Sequence, residues 1–258
     1  MGVMIDGEFL AQDPAPDTDA GGEFRRAAST IRHRITPDGP FTPDPGRYHL
    51  YAVWNCPWAH RALLARVILG LKDAISVAYA RPRRTDQGWV YETEGAYGDA
   101  CLGVGALHQV YARQPPAYPG RLTVPVLWDR RTGQIVSNES ADIVRILAAF
   151  GRGPDLAPAA LLPDIERWNE LIYRTVNNGV YRAGFARTQE AYDSAVAELF
   201  ETLDLIEAQL EKTAWLTGDA FTEADLRLFP TLARFDVAYH YAFKCNIRRL
   251  VDYPYLWA

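Results

Sequence analysis

The sequence predicts an α/β domain followed by an all-helical domain, and three observations support this fold class. Residues 47–79 give a strand, a helix and a second strand. Residues 151–163 are rich in Gly and Pro, which is typical of a linker. After residue 164 the apolar residues recur at helical spacing. We therefore expect three regions, an N-terminal arm over 1–46, an α/β domain over 47–150 and a helical domain over 151–258.

The composition is that of an ordinary globular protein. Of the 258 residues 48% are hydrophobic and 23% charged, and the net charge of −5 argues against nucleic acid as the main partner. No apolar run approaches the length of a membrane span, and the acidic, Gly- and Pro-rich N-terminus resembles neither a signal nor a transit peptide. Three cysteines lie far apart in sequence, so we expect no disulfide framework and a cytoplasmic protein.

A single cysteine separates the first predicted strand from the first predicted helix. The strand covers residues 47–55, the helix about 57–70, and a second strand follows at 74–79. Pro57 suits the first helical position, where its missing N–H would have no partner. Cys56 is therefore expected at a helix N-terminus, where the dipole favours the thiolate, the nucleophilic form of cysteine.

The spacing around Cys56 predicts how its reaction would be completed. Ala59 occupies the second cysteine position of a CxxC motif, so a diffusing thiol must resolve any mixed disulfide on Cys56. The alternative is that Cys56 is a buried structural cysteine, because free cysteine often behaves as a small apolar residue. Cys101 and Cys245 lack a comparable context and are predicted to be structural.

The rest of the α/β domain contains a long loop, an interrupted strand and a hairpin. Residues 81–120 are predicted to be a loop region. The strand over 122–129 contains Pro125, so the Val124–Pro125 bond is a candidate cis peptide that exposes the Val124 backbone. A turn at 129–133 leads into a return strand and a capped helix. These elements make a thioredoxin-like domain.

In the second domain the apolar periodicity predicts a series of helices. One helix is expected over 164–178 and a longer one over 189–212. A capping pattern at Thr222–Asp225 precedes a final helix that runs to about Arg249.

Several motifs together resemble the xi class of glutathione transferases, the glutathionyl-hydroquinone reductases. The general superfamily motifs are Thr123-Val124-Pro125-Val126-Leu127, Asn138-Glu139-Ser140 and Leu216-Thr217-Gly218-Asp219. The more specific ones are Cys56-Pro57-Trp58-Ala59-His60-Arg61, Gly88-Trp89, residues 177–186, Arg234-Phe235-Asp236 and Phe243-Lys244-Cys245-Asn246. The resemblance runs from about residue 20 to the C-terminus and implies a thioredoxin-like domain followed by the helical glutathione-transferase domain.

Five residues of the first domain match the family's glutathione site. The resemblance implies that Cys56 is the nucleophile and that Trp89 packs over glutathione. It implies that the Val124 backbone pairs with the cysteinyl part of glutathione. It also implies that Glu139 and Ser140 bind the γ-glutamyl end, where a carboxylate suits the α-ammonium and a hydroxyl suits the α-carboxylate. The alternative for Glu139 and Ser140 is a helix cap alone.

Two tyrosines match the family's site for the aromatic substrate. The resemblance implies that Tyr181 hydrogen-bonds the substrate oxygen and that Tyr239 faces the same site; the alternative for Tyr181 is an ordinary core residue. The segment His240-Tyr241-Ala242 departs from the family pattern, which changes the wall of this pocket. Family members also continue for several dozen residues beyond the position of Ala258, with another tyrosine in that tail, so the protein is either naturally short or truncated there.

The implied reaction is glutathione-dependent reduction of glutathionyl-hydroquinones to hydroquinones through a Cys56–glutathione mixed disulfide, with release of oxidised glutathione. Glutathione is then a co-substrate, the aromatic conjugate the second partner, and a homodimer the expected assembly. No His, Cys, Asp or Glu cluster has metal-ligand spacing, so no metal is predicted. Neither nucleic acid nor a membrane is expected as a partner.

Other functions are compatible with the same cysteine. They are a general thiol transferase or dehydroascorbate reductase of the omega type, a non-catalytic glutathione-binding protein, and a conjugating transferase. A conjugating enzyme activates glutathione with a Ser or Tyr hydroxyl, and the retained Cys56-Pro57 pair argues against a non-catalytic protein. His60 is expected to pack, and Arg61 to face solvent or the domain interface.

Overall fold

The computed structural model describes residues 2–13 and 17–258, which form two compact units. The first unit contains residues 2–13 and 27–154, and the second contains residues 17–26 and 155–258. The segment predicted as one arm, 1–46, is therefore divided between the two units. Within the described residues, no helix has the combination of length and apolar character that crossing a membrane requires.

The first unit begins with a β-hairpin, so the prediction of an irregular arm is wrong for this part. Strand β1 (Val3–Ile5) pairs antiparallel with β2 (Glu8–Leu10), and Val3 lies opposite Leu10. The turn residues Asp6 and Gly7 have φ values of 50° and 84°. An Asp-Gly pair with both φ angles positive is the turn that matches the twist of two antiparallel strands.

The predicted strand–helix–strand unit is confirmed. Strand β3 (Tyr48–Ala52) is buried along its whole length, helix α1 (Pro57–Ile68) follows, and β4 (Ile75–Tyr79) lies parallel to β3. A parallel pair of strands needs such a crossover connection, and here the connection carries Cys56 at its start.

The region between residues 81 and 120 contains more regular structure than the predicted loop. It includes a 3₁₀ turn at Gly95–Tyr97, helix α2 (His108–Tyr111) and strand β5 (Gly120–Arg121). Strand β5 pairs with β1, which gives a small sheet of order β2-β1-β5.

The first unit closes with a hairpin and a helix, as predicted. Strand β6 (Val126–Asp129) pairs with β3 and with β7 (Gln134–Ser137), which gives the sheet order β4-β3-β6-β7. Helix α3 (Ser140–Ala148) packs beside α1. The strand predicted over 122–129 begins at Val126, because Pro125 interrupts the ladder.

The second unit is helical. Helix α4 (Leu162–Ile172) runs into a π-helical turn at Tyr173–Asn177, and α5 (Gly179–Phe185) and α6 (Gln189–Leu210) follow. The helix predicted over 164–178 is thus helical to Asn177, but its hydrogen bonding changes after Ile172. The apolar stripe of α6, which includes Val196, Leu199 and Leu203, lies in the core of this unit.

The prediction of one final helix to about Arg249 is wrong. Helix α7 (Glu223–Leu232) begins at the predicted cap but ends at Leu232. A π-helical turn at Phe235–Tyr239 then leads into α8 (His240–Ala242). The chain then turns at Lys244, whose φ of 61° cannot continue a helix. A short helix, α9 (Pro254–Trp257), completes the described chain.

Candidate active site

Cys56 is the N-cap residue of α1, as the sequence predicts. Its backbone is extended, with φ −85° and ψ 118°, and Pro57 occupies the first turn. The Cys56 carbonyl oxygen accepts a hydrogen bond from the His60 N–H at 3.0 Å, which begins the helix. The thiol is therefore held at the positive end of a helix dipole, in a half-buried position.

The Cys56 thiol faces the backbone of Val124. The distance from Cys56 Sγ to the Val124 carbonyl oxygen is 3.7 Å. The Val124–Pro125 bond is cis, as expected, and the Val124 side chain is buried. A thiol and a peptide backbone are thus brought together from positions 68 residues apart in the chain.

Glu139 and Ser140 form the start of α3. A carboxylate oxygen of Glu139 accepts a hydrogen bond from the Ala141 N–H at 3.1 Å, so Glu139 caps the helix. The Ser140 hydroxyl donates to the same oxygen at 3.4 Å. The capping role is therefore present, but a carboxylate has about four acceptor positions, and two bonds do not saturate it. The pair still offers a carboxylate and a hydroxyl at a helix N-terminus, the combination that an amino-acid end group needs.

Arg61 was predicted to face solvent or the domain interface, and its burial excludes the first of these two positions. Arg61 is 2% exposed, and its guanidinium lies 4.6 Å from the centroid of the Trp58 ring. Nη1 of Arg61 lies 3.5 Å from the Ser140 hydroxyl oxygen. The sequence does not predict this contact of Arg61, because Ser140 is on α3 and nothing local to α1 indicates it.

The loop before Glu139 is anchored by residues that are distant in sequence. The Asn138 N–H donates to the Ile31 carbonyl at 3.1 Å, and the Asn138 side chain accepts the Ile31 N–H at 3.3 Å. Asn138 also donates to the Tyr111 hydroxyl at 3.3 Å. These bonds satisfy a buried amide and fix the backbone from which Glu139 and Ser140 project.

Trp89 lies on a loop that the N-terminal hairpin supports. Gly88 makes the turn before it, with a φ of 74°, and the Arg84 guanidinium lies 5.3 Å from the Trp89 ring centroid. Phe9 of β2 stacks on His108 with ring centroids 4.3 Å apart. Burial lowers the pKa of His108, which favours the neutral form of the imidazole in this stack. A cleft is lined by residues of the hairpin, the loop and α2, including Phe9, Arg84, Trp89 and His108.

Tyr181 and Tyr239 lie together in the second unit, and one π-helical turn precedes Tyr181 while a second ends at Tyr239. The centroids of the two rings are 6.1 Å apart, and the Phe243 ring lies 5.6 Å from Tyr181 and 5.2 Å from Tyr239. Tyr239 ends the turn at Phe235–Tyr239, and Tyr181 follows the turn at Tyr173–Asn177. Single π-helical turns occur frequently at functional sites.

The segment that departs from the family pattern forms α8, directly after Tyr239. Tyr241 is 78% exposed, and the Lys244 ammonium lies 5.4 Å from its ring centroid.

The other cysteines have the surroundings of structural residues. Burial raises the pKa of the Cys101 thiol, and it raises the pKa of Cys245 to about 12. A raised pKa keeps a thiol protonated and unreactive.

Comparison with known proteins identifies the family. A model of the glutathione S-transferase N-terminal domain matches residues 55–149, and a model of the C-terminal domain matches 189–258. The crystal structure of the glutathione S-transferase Xi from Phanerochaete chrysosporium superposes with a TM-score of 0.91 at 43% identity, over 96% of this chain and 83% of that one. The chain belongs to the xi-class glutathione transferases.

Two curated relatives of this xi-class protein carry the same functional name. The chain is 48% identical to the glutathionyl-hydroquinone reductase PcpF of Sphingobium chlorophenolicum, over 99% of this chain and 83% of the relative. It is 45% identical to the glutathionyl-hydroquinone reductase YqjG of Escherichia coli, over 100% of this chain and 83% of the relative. The glutathione-bound structure of YqjG superposes with a TM-score of 0.85 at 45% identity, over 88% of this chain and 79% of that one.

The xi-class chain shows no group of His, Cys, Asp or Glu residues that could hold a metal ion within the ranges 2–13 and 17–258.

Proposed function

We propose that the protein reduces glutathionyl-hydroquinones to hydroquinones with glutathione as the co-substrate. The observation that carries the proposal is the position of Cys56, a single thiol at a helix N-terminus that faces the Val124 carbonyl at 3.7 Å. Two relatives at 48% and 45% identity are named for this activity, which supports the same assignment.

Glutathione binds along the first unit in this proposal. The Val124 backbone pairs with the cysteinyl part of glutathione, which brings the sulfur towards Cys56. Glu139 takes the α-ammonium of the γ-glutamyl end, and Ser140 with its N–H takes the α-carboxylate. Trp89 packs over the tripeptide. Arg61, buried beside Ser140, adds a positive charge on the side of the carboxylate.

The reaction proceeds in two displacements at sulfur. The Cys56 thiolate attacks the sulfur of the aryl thioether, the carbon–sulfur bond breaks, and the aromatic ring takes the electron pair and a proton. This step leaves hydroquinone and a Cys56–glutathione disulfide. A second glutathione thiolate then attacks the glutathione sulfur of that disulfide, Cys56 leaves as the thiolate, and oxidised glutathione is released. Over the cycle, one conjugate and one glutathione give one hydroquinone and one oxidised glutathione.

Tyr181 and Tyr239 serve the aromatic substrate in this proposal. Each hydroxyl donates a hydrogen bond to a ring oxygen, which favours the form of the ring that accepts electrons from sulfur. Their proximity in one aromatic cluster, with ring centroids 6.1 Å apart, supports a shared role.

A direct assay tests the proposal. The purified protein is incubated with a glutathionyl-hydroquinone and glutathione, and hydroquinone release is followed by chromatography. We expect release by the wild type, none by Cys56→Ser, and unchanged release by the matched control Cys101→Ser. Intact mass after treatment with oxidised glutathione should show one adduct that Cys56→Ser lacks. No release by the wild type, or undiminished release by Cys56→Ser, contradicts the proposal.

The same assay, repeated with a small disulfide in place of the glutathionyl-hydroquinone, separates the alternative functions. A general thiol transferase or dehydroascorbate reductase forms the Cys56 adduct and reduces a small disulfide, but releases no hydroquinone. A non-catalytic glutathione-binding protein binds glutathione and turns over neither substrate.

We further propose that the protein acts as a homodimer in the cytoplasm. The family and the absence of a disulfide framework in the sequence support this proposal. Light scattering on a size-exclusion column measures the assembly, and a monomeric mass of 28.9 kDa would contradict the dimer.

A further inference from the structure

The N-terminal segment 17–26 supplies two side chains to the ring of Tyr181. Phe24 is buried, and its ring centroid lies 6.3 Å from that of Tyr181 in a stacked arrangement. The guanidinium carbon of Arg26 lies 4.6 Å from the Tyr181 ring centroid, over its face. The wall around this tyrosine is therefore built partly from a segment more than 150 residues away in the chain.

This segment is fixed to the helical unit by its own backbone. The Gly22 carbonyl accepts the Arg187 N–H at 2.9 Å, and the Gly21 carbonyl accepts the Thr188 hydroxyl at 2.9 Å. Gly22 has a φ of 81°, and a Cβ on it would lie 2.9 Å from Thr188 Cγ2. The approach therefore depends on glycine at this position.

The Arg26 guanidinium is oriented by a hydrogen bond at its base. Its Nε donates to the Asn178 side-chain oxygen at 2.7 Å. Asn178 is the residue before α5, so the same short segment carries both the tyrosine and the acceptor that holds the arginine over it. A planar guanidinium fixed at Nε keeps its face parallel to the ring more readily than a flexible ammonium would.

The charge on Arg26 has a chemical consequence for the tyrosine. A cation over the face of an aromatic ring is attracted by its electrons, and a nearby positive charge favours phenolate over phenol. The hydroxyl of such a tyrosine is a stronger hydrogen-bond and proton donor.

We propose that Arg26 is a positioning residue for Tyr181, which holds the ring in place and strengthens its hydroxyl as a donor to the substrate oxygen. The proposal rests on the function proposed above, in which Tyr181 donates to a hydroquinone or quinone oxygen. It extends the substrate site to the N-terminal segment.

Other charges around Tyr181 are engaged with one another. Arg182, next in α5, binds Glu23 at 2.7 Å and Glu198 at 2.8 Å. Arg174, in the preceding π-helical turn, also binds Glu198, at 3.2 Å. These pairs neutralise charge within their own cluster.

The second π-helical turn contributes Tyr239, whose ring centroid lies 6.1 Å from that of Tyr181, and it also carries Asp236. The Asp236 carboxylate accepts the Val251 N–H at 3.2 Å, and the Lys244 ammonium, next to Phe243, is directed at the Tyr241 ring. The guanidinium of Arg26, in contrast to these groups, lies directly over the face of the Tyr181 ring, 4.6 Å from its centroid.

Three variants test the proposal. Arg26→Gln removes the positive charge, and Arg26→Lys keeps the charge but places it on an ammonium in place of the planar guanidinium. Arg25→Gln is the matched control, because the adjacent Arg25 is exposed and pairs with Asp19. For each we would measure kcat and KM for the glutathionyl-hydroquinone, the rate of Cys56 exchange with 2-hydroxyethyl disulfide, and the pKa of Tyr181. The pKa comes from NMR of protein labelled with ¹³C at tyrosine Cζ, with the resonance assigned by Tyr181→Phe.

In Arg26→Gln we expect kcat for hydroquinone release to fall about tenfold and the pKa of Tyr181 to rise. Exchange at Cys56 should be unchanged. Arg26→Lys should recover part of kcat and part of the pKa difference, and Arg25→Gln should match the wild type. An unchanged Tyr181 pKa in Arg26→Gln overturns the proposal, and so does an Arg26→Lys variant that behaves like Arg26→Gln. If the wild type releases no hydroquinone, the proposed function fails, and the NMR measurement still decides whether Arg26 acts on Tyr181.

Discussion

Gly184 lies against the ring of Phe243 with no room for a side chain. A Cβ built on Gly184 would lie 2.2 Å from Cδ1 of that ring, far inside any van der Waals contact. Phe243 in turn packs edge-on against Tyr181 and Tyr239. The absence of one methyl group on α5 therefore sets the position of the aromatic cluster that we assign to the substrate.

Gly184→Ala should displace Phe243 and disturb this cluster. We expect a loss of about 1–3 kcal/mol in the free energy of unfolding, because overpacking forces side chains out of position. Hydroquinone release should fall more than glutathione-adduct formation at Cys56. Urea denaturation and the release assay measure the two effects. Gly179→Ala in the same helix is the control, since its Cβ would meet Leu199 at an ordinary 3.8 Å; equal losses in both variants would contradict the explanation.

Tyr181→Phe and Tyr239→Phe should separate two reactions of Cys56. Each variant keeps the ring in the cluster and removes a hydroxyl. We expect kcat for hydroquinone release to fall by about tenfold or more, because proton transfer or hydrogen bonding by one group contributes at least that much. Reduction of 2-hydroxyethyl disulfide needs neither hydroxyl and should be unchanged. Equal loss of both activities would remove the specific role of the tyrosines.

Asp225 joins two backbone segments at the start of α7, and its removal should weaken the helical unit. One carboxylate oxygen accepts the Thr222 N–H at 2.9 Å, and the other accepts the Leu216 N–H at 2.9 Å. Asp225→Ala leaves two buried donors unpaired, so we expect a loss of about 2–4 kcal/mol in unfolding free energy. Glu211→Ala, at the exposed end of α6, should be nearly neutral. Urea denaturation followed by circular dichroism gives both values.

His49 should make the protein less stable in mild acid. Burial lowers the pKa of this histidine from 6.5 to about 4, although Asp99 nearby acts in the opposite direction. The unfolded chain therefore binds a proton below pH 6.5 that the folded protein takes up only near pH 4. Stability is lost as the pH falls through that window, by up to about 3 kcal/mol from this residue.

Urea denaturation at pH 7 and pH 4.5 measures this effect. His49→Gln removes the titrating group, so the variant should lose less stability than the wild type between the two pH values. An identical pH dependence in the two proteins would show that other groups control acid unfolding.

Local sequence patterns were sufficient for much of the first unit. The order of β3, α1 and β4, the Cys56 cap and the cis Val124–Pro125 bond follow from short runs of residues with strong preferences. The Asp6-Gly7 turn between Val3–Ile5 and Glu8–Leu10 carried an equally clear hairpin signal, which the Gly- and Pro-rich surroundings concealed.

The end of the last long helix could not be read in the same way. Helix α7 ends at Leu232, and after the π-helical turn and α8 the chain leaves helical structure at Lys244, in a left-handed conformation that glycine usually occupies. No glycine or proline marks the break between Ala233 and Phe243, so the apolar pattern appears continuous. The two π-helical turns, at Tyr173–Asn177 and Phe235–Tyr239, likewise contain no glycine or proline that would mark them.

The sequence by itself predicted Cys56 as the nucleophile and predicted that its reaction would need a second thiol. Both conclusions rest on residues within four positions of Cys56, and short-range backbone geometry is enough to support them. Only the tertiary structure decided which groups contact the predicted site residues and the loop before them. Arg61 lies beside Ser140, the Ile31 N–H donates to the Asn138 side chain, and Arg26 lies over the Tyr181 ring. Those contacts join residues 79, 107 and about 155 positions apart, and long-range packing leaves no periodic trace in the chain.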